Sequence, residues 1–246
     1  MIRYEGVTKH FGRLVALAGL DLEVRPGETI ALVGPNGSGK STTLKAALAL
    51  VRPTRGRVTV DGVDVATHGR EARARLGYLP QGLSFPQGFT AGELMRYFAR
   101  LRGADPGSAA QLLDRVGLQD AEDRHATTFS GGMKQRLGLA VALLGNPRAL
   151  ILDEPTAALD PSGALAVRDL LREIRAEGTT ILLSSHDLGE VAALADRVAV
   201  FVAGRLVALG TVDELVETYV PHRDLRERRL EEAYRVIAGG SAGRAA

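Results

Sequence analysis

The chain contains no cysteine and no tryptophan, and aromatic residues make up only 4% of its 246 residues. Without cysteine the protein can form neither a disulfide nor a thiolate metal site, and a reducing compartment is compatible with it. The apolar share of 45% and the length are those of an ordinary globular protein with a substantial core, built as one large domain or two small ones.

Long apolar runs and a strong charge bias are also missing. No apolar run approaches the length needed to cross a bilayer, and residues 1–6 lack the apolar segment of a signal peptide. The chain has 31 basic and 29 acidic residues, for a net charge of +2, which gives no reason to expect nucleic acid as a partner. We therefore expect a soluble, cytosolic protein that reaches a membrane only through a partner.

A glycine-rich stretch stands between an apolar run at residues 28–33 and a helix-forming run at residues 42–50. It fits the phosphate-binding pattern G-x-x-x-x-G-K-[ST] and consists of Gly34, Pro35, Asn36, Gly37, Ser38, Gly39, Lys40, Ser41 and Thr42. The pattern requires a strand before it and a helix after it, and both are predicted here.

These residue types suit a polyphosphate. Glycines let the backbone N–H groups approach the anion, and the start of the following helix adds unpaired N–H groups and a positive dipole. Lys40 supplies a charge for the β- and γ-phosphates, and the Ser41 hydroxyl can ligate Mg²⁺. The motif therefore predicts nucleotide binding.

Short strands surround this motif. Residues 2–8 and 14–24 are predicted strands, and a loop between them carries Phe11, which taken alone is more typical of a core or hairpin residue than of a base-stacking one. Further strands are predicted at 57–62 and 76–81, and a proline places Gln81 at the end of the second.

From residue 90 to 144 the apolar spacing becomes helical, which predicts an inserted helical lobe. Near its end Ser130 is a suitable N-cap for a helix, followed by Gly131, Gly132 and Met133. Two glycines at the positive end of a helix expose backbone N–H groups and form a second candidate anion site.

Two buried strands are predicted to end in ionisable side chains. Residues 149–155 end in Asp153 and Glu154, which could hold Mg²⁺ and accept a proton from water. Residues 180–187 end in His186, and its position at the end of a strand favours a functional role. Further strands at 198–202 and 206–210 close the sheet. A docked helix with Leu225, Leu230, Tyr234 and Ile237 on its apolar stripe and a flexible tail from Gly239 are expected after them.

Together these elements resemble the ATP-binding subunit of ABC transporters over residues 1–215. Six elements of that family occur in its order: Walker A at 34–42, the Q-loop at Gln81, the signature at 130–136, Walker B at 150–154, the D-loop at 158–160 and the switch histidine at His186. Phe11 stands where the family carries its adenine-stacking aromatic residue, so the resemblance favours base stacking there.

The resemblance implies an α/β fold with a P-loop NTPase (RecA-like) core, an N-terminal antiparallel β-subdomain and a helical subdomain inserted at about residues 83–145. Residues 216–246 would form a helical extension and a flexible tail. It further implies Mg²⁺ held by Ser41, Gln81 and Asp153, with Glu154, His186 and Gln81 as catalytic residues. Two chains, identical or paralogous, would close head to tail around two ATP molecules. Ser130, Gly131, Gly132 and Met133 would then act on the partner's ATP, with Asp160 in the D-loop.

The implied function is ATP hydrolysis that energises a separate transmembrane permease on the inner face of the cell membrane. The signature departs from the usual pattern at Phe129 and Met133 but keeps its serine and glycines. Its Met-Lys-Gln-Arg sequence is similar to the subgroup that serves ABC-2 type exporters. A subgroup for copper-enzyme (nitrous-oxide reductase) maturation is equally similar. A soluble ABC ATPase of iron–sulfur assembly, ribosome-associated or DNA repair type is a further alternative, and a non-catalytic nucleotide-binding scaffold is disfavoured by Asp153, Glu154 and His186.

Overall fold

The computed structural model describes residues 1–157, 159–220 and 229–242. Its strands are β1 (Ile2–Phe11), β2 (Leu14–Val24), β3 (Thr29–Val33), β4 (Arg55–Val60), β5 (Val63–Asp64), β6 (Leu76–Leu79), β7 (Ala149–Asp153), β8 (Thr180–Ser184), β9 (Arg197–Val202) and β10 (Arg205–Gly210). Its α-helices are α1 (Lys40–Ala47), α2 (Gly69–Ala74), α3 (Ala91–Arg102), α4 (Ser108–Arg115), α5 (Gly131–Leu143), α6 (Pro161–Ala176), α7 (Leu188–Leu194), α8 (Val212–Tyr219) and α9 (Arg229–Ala242).

The N-terminal strands form an antiparallel sheet in the order β2-β1-β4-β5. Alternate residues of β1 face the core, where Ile2, Tyr4 and Val7 are buried. The hydroxyl of Tyr4 donates a hydrogen bond to the backbone oxygen of Thr43 in α1, at 3.0 Å. This hydrogen bond links the antiparallel sheet to α1, the helix that follows the glycine loop.

The second sheet has the order β10-β9-β3-β8-β7-β6 and is parallel except for β10. Every residue of β3, β7 and β8 is buried, as expected for central strands with helices on both faces. Because these strands run parallel, their carboxyl ends meet at one edge of the sheet, where ligands bind in open α/β folds. The predicted α/β class with an antiparallel β-subdomain is therefore confirmed.

Three α-helices and two short 3₁₀-helices, Gln119–Ala121 and Ala126–Thr128, lie between β6 and β7, as the helical spacing predicted. Helix α3 begins with a capping box in which Thr90 and Glu93 exchange side-chain and backbone hydrogen bonds. Helix α5 packs against both α3 and α4 and also against β6 of the sheet. It therefore connects the helical lobe to the core.

Two predictions about where secondary-structure elements end are wrong. Strand β1 continues through Phe11, which pairs with Leu14 across a tight hairpin, so Phe11 lies at a strand end and not in a loop. The expected tail from Gly239 is helical through Ala242, because α9 docks through Leu230, Ala233 and Ile237 and two glycines cost a helix only about 1 kcal/mol each. Leu225 and residues 243–246 lie outside the described residues.

Within residues 1–157, 159–220 and 229–242, no helix combines the length and the apolar character that crossing a bilayer would require.

The packing of β6 against α5 depends on Gly77. A Cβ atom on this residue would lie 2.2 Å from the backbone oxygen of Ala142 and 2.6 Å from a methyl group of Leu150. We expect Gly77→Ala to lower the free energy of unfolding by about 1–3 kcal/mol, the usual cost of overpacking. Chemical denaturation measures this. The matched control is Gly239→Ala in α9, where the Cβ meets nothing within 4 Å. That substitution should stabilise by up to about 1 kcal/mol, and equal stability of both variants would contradict the packing.

Candidate active site

The loop between β3 and α1 follows its surroundings so closely that two positions admit only glycine. A Cβ on Gly34 would lie 2.3 Å from the backbone oxygen of Phe201, and one on Gly39 would lie 2.7 Å from that of Ala16. Gly39 also has a φ of 109°, which side chains disfavour. The loop therefore forms a cradle of bare backbone that ends at the first residue of α1, where helix N–H groups have no intrahelical partner.

Lys40 points back into this cradle. Its ammonium group donates to the backbone oxygens of Gly34 at 2.6 Å and Pro35 at 3.2 Å. Burial lowers the pKa of Lys40, and the nearby carboxylates of Glu154 and Asp153 partly oppose that shift. A polyphosphate would supply the negative partner that favours the charged form.

An unpartnered buried group also points to an anion. Among the described residues, the hydroxyl of Ser38 is buried in the loop without a hydrogen-bond partner. A buried hydroxyl without a partner costs about 1–3 kcal/mol. A phosphate oxygen would satisfy it, so the loop fits the ligand that its sequence predicted.

The cradle opens into a cavity of about 420 Å³. Most of the predicted nucleotide-binding residues line it, namely Phe11, Asn36, Gly37, Ser38, Gly39, Lys40, Ser41 and Thr42, together with Gln81, Glu154, Leu14 and Ala16. Phe11 is 48% exposed, and its ring lies 4.8 Å from the ammonium group of Lys9. An exposed ring at the mouth of a phosphate-binding cavity can stack on a nucleobase.

Asp153 lies at the carboxyl end of β7, beside the cradle. Its Oδ1 accepts hydrogen bonds from Ser41 Oγ at 3.3 Å and from Ser184 Oγ at 2.6 Å. One carboxylate and one hydroxyl oxygen beside a phosphate site are suitable ligands for Mg²⁺, which usually takes few protein ligands and completes its shell with phosphate and water. The donor set therefore fits Mg²⁺ bound together with a nucleotide.

Glu154 has a strained backbone that is held by hydrogen bonds on both its N–H and its oxygen. Its φ is 53°, a region that glycine prefers. Its N–H donates to both the backbone oxygen and the hydroxyl of Ser184, each at 3.1 Å. Its backbone oxygen accepts from the amide of Gln135 in α5 at 3.3 Å. The surrounding structure thus fixes the direction in which the carboxylate points.

The side chain of Glu154 contacts the predicted switch histidine. Glu154 Oε2 lies 2.9 Å from His186 Nδ1, and the histidine is largely exposed, two residues beyond the end of β8. Such a pair can orient a water molecule and bind an anion.

The predicted signature residues line a separate cavity of about 450 Å³, which contains Ser130, Gly131, Gly132, Met133 and Asp160. Ser130 caps α5 by accepting from the N–H of Met133 at 3.2 Å, which leaves its own hydroxyl hydrogen free to donate. Asp160 caps α6 by accepting from the N–H of Gly163 at 2.7 Å. Ala158 of the predicted D-loop lies outside the described residues. Among the residues that are described, none lines both this cavity and the one at the cradle.

Sequence reasoning missed Ser184 and Gln135. Ser184 pairs with Asp153 in the parallel ladder, and this register could not be inferred from either strand alone. Gln135 is buried in α5, and its side-chain amide donates to the backbone oxygen of Glu154. The only available signal for Ser184 was a serine at the end of an apolar run.

Comparisons with known proteins agree with this geometry. A profile of the family described as ABC transporter matches residues 17–157. The chain is 40% identical over 218 residues to a daunorubicin resistance ATP-binding protein of Streptomyces coeruleorubidus, a match that covers 87% of this chain and 69% of the relative. It is 38% identical over 223 residues to Nod factor export ATP-binding protein I of Burkholderia orbicola, covering 89% and 73%.

Solved structures are similar over most of the chain. The structure of an ATP-binding subunit of an ABC transporter has a TM-score of 0.86 and 29% identity, covering 96% of this chain and 99% of that one. A dimeric ATP-binding cassette in a post-hydrolysis state, bound to ADP and Pi, has a TM-score of 0.79 and 26% identity, covering 86% and 98%.

The geometry predicts a stability cost at Ser184. The residue is fully buried, donates to Asp153 and accepts from the N–H of Glu154. Because Ser184→Ala removes both bonds, we expect it to lower the free energy of unfolding by about 1–3 kcal/mol. Ser162→Ala is the control, since the hydroxyl of Ser162 bonds an exposed carboxylate and its removal should change stability by less than about 0.5 kcal/mol. Equal denaturation midpoints for the two variants would exclude the network described here.

Proposed function

Since the chain belongs to the ABC transporter family and is one of its ATP-binding, ATP-hydrolysing subunits, we propose that it works as a head-to-tail dimer. In this dimer two ATP molecules are enclosed between two copies of the chain, or between this chain and a paralogous ATPase. Its hydrolysis cycle energises a separate transmembrane permease.

The separation of the two anion-binding cavities carries this proposal. The cradle presents Lys40 and a helix start to one side of a triphosphate, whereas the start of α5 presents Ser130 and Gly132 on another surface of the same chain. A triphosphate held only by the cradle would leave one flank in water. In a head-to-tail pair, the second copy would cover that flank with its signature helix, whose dipole and N–H groups favour the γ-phosphate.

Within each half of the dimer, we assign phosphate binding to residues 34–42 and base stacking to Phe11. Ser41, Asp153 and Gln81 would hold Mg²⁺, which neutralises phosphate charge when it is bound. Glu154 would orient the attacking water and accept its proton, and His186 would contact the γ-phosphate. The Glu154–His186 distance of 2.9 Å and the position of Glu154 in the cradle cavity support these roles.

We place the permease on the helical lobe. This assignment keeps the predicted division into an ATPase domain at 1–215, with a lobe at about 83–145, and a C-terminal extension at 216–246. Exposed apolar side chains on the lobe support it: Phe89 is 40% exposed, Tyr97 51% and Leu101 65%. Tyr97 and Leu101 are four residues apart and share one face of α3, and an exposed apolar face is typical of a protein interface. The protein would then be cytoplasmic and peripheral on the inner face of the membrane, with no nucleic acid partner.

The names of the relatives favour export. They are ATP-binding proteins of daunorubicin resistance, linearmycin resistance and Nod factor export. We therefore propose that the permease is an exporter of the ABC-2 type, which is tested by identifying the membrane protein that copurifies with this chain from a detergent extract.

The role of Glu154 predicts a specific variant. Glu154→Gln keeps the shape of the side chain but removes the base, so we expect ATP binding to persist while hydrolysis slows by about 10²–10⁴. The variant should also accumulate as an ATP-bound dimer, which sedimentation velocity with Mg-ATP detects.

Lys40→Ala is the matched control for that experiment. It removes the charge from the cradle, so it should weaken ATP binding itself and remain monomeric at the same ATP concentration. Parental turnover by Glu154→Gln would remove the base from its role, and a Glu154→Gln protein that stays monomeric while saturated with ATP would refute the dimer.

The permease assignment predicts that Tyr97→Glu and Leu101→Glu abolish copurification of the membrane partner, because each charge enters an apolar contact. ATP binding, followed by nucleotide-dependent thermal shift, should not change. Val236→Glu on α9 is the control, with a side chain that is 48% exposed. Retention of the membrane protein by the lobe variants, or its loss with Val236→Glu, would exclude this surface.

A further inference from the structure

A buried carboxylate lies behind the Glu154–His186 pair, on helix α7. Glu190 is only 1% exposed. Its Oε1 accepts a hydrogen bond from Thr156 Oγ1 at 2.8 Å, and its Oε2 accepts one from Ser185 Oγ at 2.5 Å. Both oxygens of a single buried side chain are therefore used to hold two hydroxyl groups.

Those hydroxyl groups belong to the two loops that carry the pair. Thr156 follows Glu154 by two residues, and Ser185 directly precedes His186. The hydrogen bond between Glu154 Oε2 and His186 Nδ1, at 2.9 Å, also joins these two loops. Glu190 thus makes a second bridge between these loops, parallel to the one between the side chains of the pair.

Close packing does not hold the loops together on this side. A cavity of about 340 Å³ adjoins them and is lined by residues that include Glu154, Thr156, His186 and Glu190. Because a cavity lacks the interlocking contacts of a packed core, hydrogen bonds between the two loops contribute to their separation here. The bonds to Glu190 add to those that the N–H of Glu154 makes to Ser184 where the two loops begin.

Neighbouring groups shift the pKa of Glu190 in both directions. Burial raises the pKa of Glu190, and the nearby Asp187 raises it further, whereas the two hydroxyl donors and Arg168 lower it. A carboxyl group kept in this environment needs its donors, since an unsatisfied buried carboxylate is costly. Glutamine at this position offers one acceptor oxygen in place of two, so it should weaken the bridge between the loops.

We propose that Glu190 is a positioning residue for ATP hydrolysis: it holds the loops of Glu154 and His186 at the separation that lets the pair act on the γ-phosphate and its attacking water. The proposal rests on the proposed function of Glu154 and His186. In this role Glu190 acts through Glu154 and His186.

Steady-state and single-turnover hydrolysis of Mg-ATP by the full chain test this. A displacement of catalytic groups by about 1 Å can reduce the rate by about 10²-fold, so Glu190→Gln should lower kcat by about tenfold to a hundredfold. The Kd for ATP should change by less than about threefold, because the cradle is untouched. A kcat within about twofold of the parent would overturn the proposal.

Glu28→Gln is the matched control. Glu28 is also a buried carboxylate with two partners, the N–H of Arg25 at 2.7 Å and the guanidinium of Arg197 at 3.1 Å. It precedes β3, at the opposite edge of the sheet from the site. Glu28→Gln should lower thermal stability while leaving kcat within about twofold of the parent. If it slows hydrolysis as much as Glu190→Gln does, a general loss of stability explains both and the proposal fails.

A mutant cycle separates positioning from an independent effect. If Glu190 acts through the pair, adding Glu190→Gln to a chain that carries both Glu154→Gln and His186→Ala should change the residual rate by less than about twofold. Multiplication of the two losses would overturn the proposal. Parental turnover by Glu154→Gln alone would instead refute the proposed base, so the two failures are distinguishable.

The imidazole of His186 provides a readout that does not depend on turnover. In protein labelled with ¹⁵N-histidine, Glu190→Gln should shift the ring nitrogen signals of His186, because its separation from Glu154 changes. Glu28→Gln should leave them in place. Unchanged His186 signals in Glu190→Gln would contradict the bridge, whatever the rate.

Discussion

The parallel register of β7 and β8 is the constraint on which the site depends. It places Asp153 opposite Ser184, so that one serine hydroxyl donates to the Asp153 carboxylate and accepts from the N–H of Glu154. A shift of one residue would send these side chains to the other face of the sheet. Burial of both strands on both faces prevents that shift, and the core thereby fixes the geometry of the chemistry at its edge.

Three features of the site are unfavourable for the stability of the chain without a ligand. Glu154 takes a backbone conformation that glycine prefers, and Ser38 keeps a buried hydroxyl without a partner among the described residues. Lys40 is held in a partly desolvated loop that lowers its pKa. A bound polyphosphate would give Ser38 a partner and favour the charged form of Lys40, whereas the strain at Glu154 is maintained by the hydrogen bonds around it.

Much of this arrangement could be predicted from the sequence, because its signals are local. The apolar runs before Gly34, Asp153 and Ser184 gave the central strands, and the glycine spacing gave the cradle. Contacts between distant segments could not be predicted. Ser184, Gln135 and Glu190 contact residues that are distant in the sequence, Glu154 for the first two and Thr156 for Glu190. The extension of β1 to Phe11 and of α9 past Gly239 was missed for a related reason, since tertiary contacts override weak local preference.

The central claim is that one ATP molecule is bound between the cradle of one copy and the signature residues of another. Covalent crosslinking tests it directly. The chain has no cysteine, so Asn36→Cys and Ser130→Cys can be placed in separate Glu154→Gln chains, mixed with Mg-ATP and treated with a short bis-maleimide. The account predicts a crosslinked dimer that contains one chain of each kind and depends on ATP. A mixture that gives no such dimer although both thiols react, while a chain carrying both cysteines crosslinks only within itself, would contradict it.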